Sequence, residues 1–181
     1  NTEAEPITAC GTALGSQEDT FNAVSPSGFG VFFTAFSAPC TGTGESGTGP
    51  TANELYVRVE GERTLALSGP PHDLPGRECT GSCAETQLEE GGRKHSSAVF
   101  LGASEDGHRV YFMTAQPLVD ADTDSTPDLY MEELDGNQVT SLLDASAGGK
   151  GDATPGAGAQ FEGMVRLSAD GTRAYFVAKG V

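Results

Sequence analysis

The sequence contains few basic residues. It has 10 Lys and Arg residues against 26 Asp and Glu residues, which gives a formal net charge of -16. A negative field of this size repels nucleic-acid phosphates and anionic lipid, so it disfavours nucleic-acid binding, and it attracts divalent cations. The chain also lacks any apolar run of about 18 residues, the length that a membrane-spanning helix needs, so no membrane insertion is expected.

Sequence motifs of common enzymes are missing as well. There is no G-x-S-x-G nucleophile elbow, no H-E-x-x-H metal motif, and no Ser or Thr after Gly149–Lys150 to complete a phosphate-binding loop. His72, His95 and His108 are isolated from one another in the sequence. These absences favour a non-catalytic protein, because a Ser, His and Asp set that met in space would arise here mainly by chance.

Glycine and proline are plentiful, with 25 Gly and 10 Pro residues. Both destabilise helix interiors, Gly by about 1 and Pro by about 3 kcal/mol relative to Ala, so the composition favours β structure with many turns and long loops. No basic-then-apolar leader begins the chain, which predicts a processed chain or a segment of a longer one.

The four cysteines are even in number and lack the spacing of a zinc site, because Cys79 and Cys83 have no nearby His or Cys pair. Disulfides are therefore predicted, and with them an oxidising compartment. Of the three possible connectivities we favour Cys10–Cys40 with Cys79–Cys83.

Three segments share the pattern Ser-x-x-Gly-x-x-apolar-aromatic-Phe: Val24–Phe33, Ala103–Phe112 and Leu167–Phe176. Asp precedes the Gly in the last two copies, and Asp-Gly is typical of a tight hairpin turn that leads into a strand. A second pattern, strand then acidic-Gly turn then strand, follows at Glu54–Gly61 and again at Asp128–Gly136. Two hairpins, and hence four strands, are predicted for each complete unit.

Residues Ser104–Leu143 resemble the TolB-type β-propeller repeat, which is related to the WD-repeat blade. The shared features are the Ser-x-Asp-Gly hairpin, the Asp-rich loop and the Asp-Leu-Tyr strand at Asp128–Tyr130. The resemblance is looser over Phe21–Ser68. It implies an all-β, partial β-propeller of four-stranded antiparallel blades, with two whole blades and half of a third. Because a propeller closes with about 4–8 blades, neighbouring blades of a parent chain, or of an assembly, would complete it.

The repeat divides the chain into six segments. They are an N-terminal extension at 1–20, blade-like unit 1 at 21–68, a Cys-containing loop at 69–95, blade-like unit 2 at 96–144, a Gly/Ala-rich linker at 145–159 and the first half of unit 3 at 160–181. Strands are predicted near Val31–Phe36, Glu54–Val59, Ala98–Ala103, Arg109–Thr114, Asp128–Leu134 and Arg173–Val177.

The Asp-rich loop is the strongest candidate site. Asp120, Asp122, Asp124 and Asp128 stand at relative positions 1, 3, 5 and 9, a spacing that can surround one Ca²⁺ with oxygen ligands. The loop departs from an EF-hand, because Ser125 replaces the required Gly and Met131 replaces the bidentate Glu. A solvated turn held by Asp side-chain hydrogen bonds is the alternative.

Three functions fit these patterns. The first is a non-catalytic module of the cell surface, the periplasm or the extracellular space that binds a protein or glycan through its loops. The second is the scaffold of a larger secreted hydrolase or lyase whose catalytic residues lie outside this segment. The third is a calcium-stabilised structural repeat of a surface protein. Fold alone does not separate them.

Overall fold

The computed structural model describes residues 6–17, 19–40, 48–68, 96–120, 122–124, 126–147 and 160–179. These residues form ten β-strands and no helix. The strands are β1 (Thr12–Leu14), β2 (Gly30–Ala35), β3 (Glu54–Val59), β4 (Arg63–Ala66), β5 (Val99–Ala103), β6 (Arg109–Thr114), β7 (Asp128–Asp135), β8 (Gln138–Asp144), β9 (Phe161–Leu167) and β10 (Ala174–Ala178). No described element is a helix of the length and apolarity that crossing a membrane requires.

The strands form three antiparallel groups. The first sheet has the order β1-β2-β3-β4, the second has the order β5-β6-β7-β8, and β9 pairs with β10 as a hairpin. The all-β class and the four-stranded antiparallel sheets are therefore confirmed. Neither sheet closes on itself within the described part of the chain.

The repeated Asp-Gly turns lie where the sequence places them, between β5 and β6 and between β9 and β10. Gly107 and Gly171 have φ angles of 81° and 66°, in the left-handed region that favours glycine. The Asp106 carboxylate accepts hydrogen bonds from the Ser104 hydroxyl and from the His108 amide. Asp170 makes the equivalent contacts with Ser168 and the Thr172 amide. The Ser-x-Asp-Gly motif is thus a self-bonded turn.

The two copies also share a β-bulge in the strand before the turn. The register between β5 and β6 shifts between Phe100 and Gly102, and the register between β9 and β10 shifts at the same place relative to the turn. Leu101 and Val165 are the extra residues. This agreement, 64 positions apart, shows that the repeat extends to the detail of the strand pairing.

Unit 1 differs from the other two. Residues 1–20, predicted above as an N-terminal extension, contain β1, which pairs with β2, so the first sheet includes part of that segment. Val24 forms an isolated bridge with Val31, so residues 15–22 interrupt the strand that precedes the turn. The predicted loop 69–95 and the linker from residue 148 onward lie outside the described residues.

The sheets pack face to face, and unit 2 lies in the middle. One buried cluster joins units 1 and 2, where the rings of Phe32 and Phe100 stack at 5.7 Å. A second cluster joins unit 2 to the hairpin of unit 3 through Tyr111, Leu129, Phe161 and Leu167. Strand β6 is consequently buried on both faces, whereas most of β10 is exposed.

A disulfide joins Cys10 to Cys40, as predicted, across 30 residues. It ties the segment before β1 to the segment after β2. The other predicted pair, Cys79 and Cys83, lies outside the described residues.

Candidate metal centre

The loop between β6 and β7 brings three carboxylates together. Asp122, Asp124 and Asp128 each offer an oxygen, and these oxygens lie within 4.8 Å of one another. Asp122 and Asp128 are buried and Asp124 is half-buried. Asp120, the fourth predicted ligand, is exposed and is not a member of this group. Three of the four predicted residues therefore converge.

Asp122 is anchored to the core by Tyr130. The Tyr130 hydroxyl donates a short hydrogen bond to the Asp122 carboxylate and accepts one from the Leu118 amide at 3.2 Å. The Tyr130 ring is fully buried and stacks on Phe112. Burial and the neighbouring carboxylate raise the pKa of the Tyr130 hydroxyl, so it remains a donor. The rigid strand β7 thus fixes the position of the Asp122 carboxylate.

Asp124 is held by contacts within the loop. Its carboxylate accepts hydrogen bonds from the amide and hydroxyl of Thr126, both at 2.7 Å. The Asp124 amide donates to Asp122 at 3.1 Å. These bonds are the Asx turns that a solvated loop would also use. What distinguishes this loop from a solvated one is the burial of the Asp122 and Asp128 carboxylates.

Asp128, the first residue of β7, is linked through Ser146 to Asp144, the last residue of β8. The Ser146 hydroxyl lies 3.0 Å from the Asp128 carboxylate and 2.9 Å from that of Asp144. The same hydroxyl accepts a hydrogen bond from the Leu129 amide at 3.0 Å. Asp144 also accepts from the amides of Ser146 and Ala147. Ser146 therefore links the two carboxylates.

Asp144 was not among the residues predicted for the site. It pairs with Tyr130 across β7 and β8, which places its carboxylate beside the loop although it lies 16 residues after Asp128. The sequence holds a weak signal for it, because Asp144-Ala145-Ser146 is a typical turn motif in which Asp bonds the backbone two residues on. Nothing in that motif indicates which strand it will face.

The electrostatics of the cluster favour a bound cation or a bound proton. Burial raises the pKa of Asp128 to about 7, with further increases from Asp144, Asp122 and Asp124 that the Ser146 hydrogen bond partly offsets. Burial also raises the pKa of Asp122, against the lowering effect of the Tyr130 hydrogen bond. A fixed group of carboxylates that resists full ionisation gains from a divalent ion, because the ion stabilises the charged form.

The histidines form no comparable centre in the described residues. The His108 ring stacks on Phe29 with the ring centroids 4.1 Å apart, and its Nδ1 lies 2.8 Å from the Leu134 carbonyl oxygen. These contacts account for His108 as a packing residue between units 1 and 2. His72 and His95 lie outside the described residues.

A groove of about 370 Å³ crosses the three units at a separate place. The segment before unit 1 contributes Asp19 and unit 1 contributes the half-exposed ring of Phe21. Unit 2 contributes Leu101 and Glu105, and unit 3 contributes residues 164–167 and 169. No sequence motif marks this groove, because it forms only where separate units meet.

Comparisons with protein-family models, with curated proteins and with solved structures give no match for this chain. The resemblance to TolB-type repeats rests on the repeated residues alone.

Proposed function

We propose that this chain is a non-catalytic, propeller-type β-repeat module whose second unit binds Ca²⁺. The observation that carries the proposal is the convergence of Asp122, Asp124 and Asp128 within 4.8 Å, with two of the three carboxylates buried. Carboxylate oxygens are the ligands that Ca²⁺ takes in proteins, usually with carbonyl oxygens and water in its remaining positions.

The cation would act by joining elements. Asp122 and Asp124 belong to the loop after β6, Asp128 begins β7, and Asp144 ends β8. In its absence these carboxylates repel one another, and the repulsion is strongest for the buried Asp128. With the cation bound, the carboxylates become ligands, and the loop is fixed to the edge of the second sheet. Calcium would therefore stabilise the unit and perform no chemistry.

The cell surface, the periplasm or the extracellular space is the compartment we propose. The Cys10–Cys40 disulfide supports it, because disulfides persist where the environment is oxidising. The net charge of -16 is compatible with a surface that meets millimolar divalent ions.

Calcium binding is tested directly by titration calorimetry. We expect one Ca²⁺ per chain with a dissociation constant on the order of 10⁻⁴–10⁻³ M, the range of extracellular calcium modules. The double variant Asp122→Asn with Asp124→Asn should lose the binding heat. Asp135→Asn, which removes an exposed charge from the same unit, serves as the matched control and should bind as the wild type does. Equal, negligible heats in all three proteins would identify the loop as a solvated turn.

A second candidate function, glycan binding, is favoured by the groove that crosses the units. The Phe21 side chain is 51% exposed and stands beside Asp19, Glu105 and Arg166. An exposed aromatic face flanked by charged hydrogen-bonding groups suits a sugar ring, which has apolar C–H faces and polar edges. The groove volume also lies within the range of small-ligand sites.

We expect the fluorescently labelled chain to bind specific glycans immobilised on an array, and we expect Phe21→Ala to lose this binding. Leu143→Ala removes an exposed apolar side chain elsewhere and should bind the same glycans as the wild type does. Identical signals from the wild type and Phe21→Ala would exclude the groove as the binding site.

A further inference from the structure

The turns of successive units stack on one another. Gly107 of unit 2 lies so close to unit 1 that an added Cβ would be 2.8 Å from the Ser25 Cβ. The Ser27 hydroxyl donates to the Asp106 carbonyl at 2.8 Å, and the Ser27 amide donates to the Glu105 carbonyl at 3.3 Å. The Ser-x-x-Gly turn of unit 1 is therefore a seat for the turn of unit 2.

The same arrangement recurs one unit later. A Cβ on Gly171 of unit 3 would be 2.9 Å from the Ser104 Cβ of unit 2. The Glu105 amide donates to the Ala169 carbonyl at 2.8 Å. Arg109 and Tyr111 add side-chain hydrogen bonds to the carbonyls of Asp170 and Gly171, both at 2.9 Å. Two successive interfaces thus use equivalent positions.

The described residues contain one open seat and one turn without a seat. On unit 3, Tyr175 and Val177 occupy the positions of Tyr111 and Met113, which pack between units 2 and 3, yet they are 57% and 49% exposed. Arg173, at the position of Arg109, is exposed too. On unit 1, Gly28 has a φ of 80°, as Gly107 does, but an added Cβ would meet nothing within 4 Å.

The exposed face of unit 1 is equivalent to a face that unit 2 buries. Val31 of unit 1 occupies the position of Val110, which packs in the cluster between units 1 and 2, but Val31 is 38% exposed. Leu14, on the neighbouring strand β1, is 46% exposed. Unit 2 packs on unit 1 with one surface and on unit 3 with another. Unit 1 exposes the equivalent of the first surface, and unit 3 exposes the equivalent of the second.

We propose that two copies of this chain associate head to tail, with the Ser25–Gly28 turn of one copy seated on Ser168 and Tyr175 of the other. The contact continues the interface already present twice within the chain. The Tyr175 hydroxyl would donate to the Gly28 carbonyl, as Tyr111 donates to Gly171. Because the two surfaces differ, the contact is heterologous and leads to a ring or an open array. This inference does not depend on the calcium site.

Charge sets the conditions for association. Each copy carries -16, so like-charge repulsion opposes the contact at low salt and is screened at high salt. We expect sedimentation velocity on the 181-residue chain to show concentration-dependent association that strengthens as salt is added.

Two variants, one on each surface, test the geometry. Tyr175→Ser removes the ring and the phenol hydroxyl that would donate to the Gly28 carbonyl. Gly28→Ala adds a Cβ to the turn at the point where it would contact Ser168 of the other copy. We expect each variant alone to associate about tenfold or more weakly than the wild type, since each truncates or blocks the centre of the interface. Mixing the two variants should restore association and stop it at a dimer, because each partner then supplies one intact surface.

Leu143→Ser is the control, since it removes an exposed apolar residue outside both surfaces, and it should associate as the wild type does. Circular dichroism should show that all variants keep the β spectrum. A wild type that stays monomeric at high salt up to millimolar concentration would overturn the proposal. So would a variant mixture that remains monomeric while the wild type associates, because that result indicates a different contact.

Discussion

Gly107→Ala should destabilise the protein by about 2–5 kcal/mol, one of the largest single-residue effects we expect. Two terms add up. An Ala in the left-handed region costs roughly 1–2 kcal/mol, and an extra methyl group in a tightly packed contact costs about 1–3 kcal/mol. The methyl group would lie 2.8 Å from the Ser25 Cβ and 3.1 Å from the Phe29 ring, where a real Cβ has no room.

Gly28→Ala is the matched control for this prediction. Gly28 occupies the equivalent turn position with a φ of 80° against 81° for Gly107, but open space surrounds its Cβ position. Its substitution should therefore cost only the backbone term, about 1–2 kcal/mol. The difference between the two variants measures the packing between units 1 and 2.

Urea denaturation followed by circular dichroism gives both free energies of unfolding, at a concentration at which the chain is monomeric. Equal losses for Gly107→Ala and Gly28→Ala would mean that the turns do not pack against each other. A loss that is larger for Gly107→Ala, with an unchanged urea dependence, would support the stacked arrangement.

The strands were predictable because their pattern is local. Each of the six predicted strands corresponds to a strand of the structure, with bounds that differ by at most one residue at either end, since an aromatic strand bounded by an Asp-Gly or acidic-Gly turn is a strong signal. Strand β1 was missed. Its three residues, Thr-Ala-Leu, are too few for an alternating pattern to be recognised in the sequence, and residues 15–22 separate them from the turn that marks the other units.

The candidate site was predictable only in its contiguous part. The spacing of Asp122, Asp124 and Asp128 in one loop is visible in the sequence, whereas Asp144 enters through the pairing of β7 with β8. Pairing register depends on tertiary packing, and a shift of one residue would turn Asp144 to the other face. The sequence also could not separate the exposed Asp120 from the buried Asp122, because the hydrogen bond from the Tyr130 hydroxyl that anchors Asp122 is a contact of the folded chain.

The second large effect we expect is a pH-dependent stabilisation by calcium. The pKa of Asp128 is raised from 3.8 to about 7 in the folded chain, so the folded state binds a proton that the unfolded state releases near pH 4. Without calcium, the stability that the protonated form contributes is complete below about pH 4, and it is lost as the pH rises through 7. The raised pKa of Asp122 acts in the same direction. The lowered pKa values of Asp106 and Asp170 act only below about pH 4, outside this interval.

Calcium should reverse the loss, because it binds the ionised carboxylates and replaces the proton. At about 10 mM Ca²⁺ and a dissociation constant of about 10⁻⁴ M, the stabilisation at pH 8 is about 2.7 kcal/mol, which corresponds to a rise in melting temperature of roughly 5–10 °C. At pH 5 the rise should be much smaller, since the proton competes. Magnesium, which demands a more regular octahedral site, should stabilise the protein less.

The melting temperature is measured in chelator and in calcium, at pH 5 and at pH 8. Asp128→Asn is the decisive variant under these four conditions. An amide resembles the protonated carboxyl group in shape and charge, so in chelator the melting temperature of Asp128→Asn should fall less than that of the wild type as the pH rises, with Asp122 causing the remaining fall. Calcium should change the melting temperature of this variant little. A wild-type melting temperature that does not fall between pH 5 and pH 8 in chelator would show that Asp128 is ionised without penalty. If calcium instead raised the melting temperature of the wild type and of Asp128→Asn equally, the ion would be bound elsewhere on this acidic surface. The contrast between the two proteins therefore separates a specific site from general screening, because screening acts on all 26 acidic residues and loses almost nothing when one of them is neutralised.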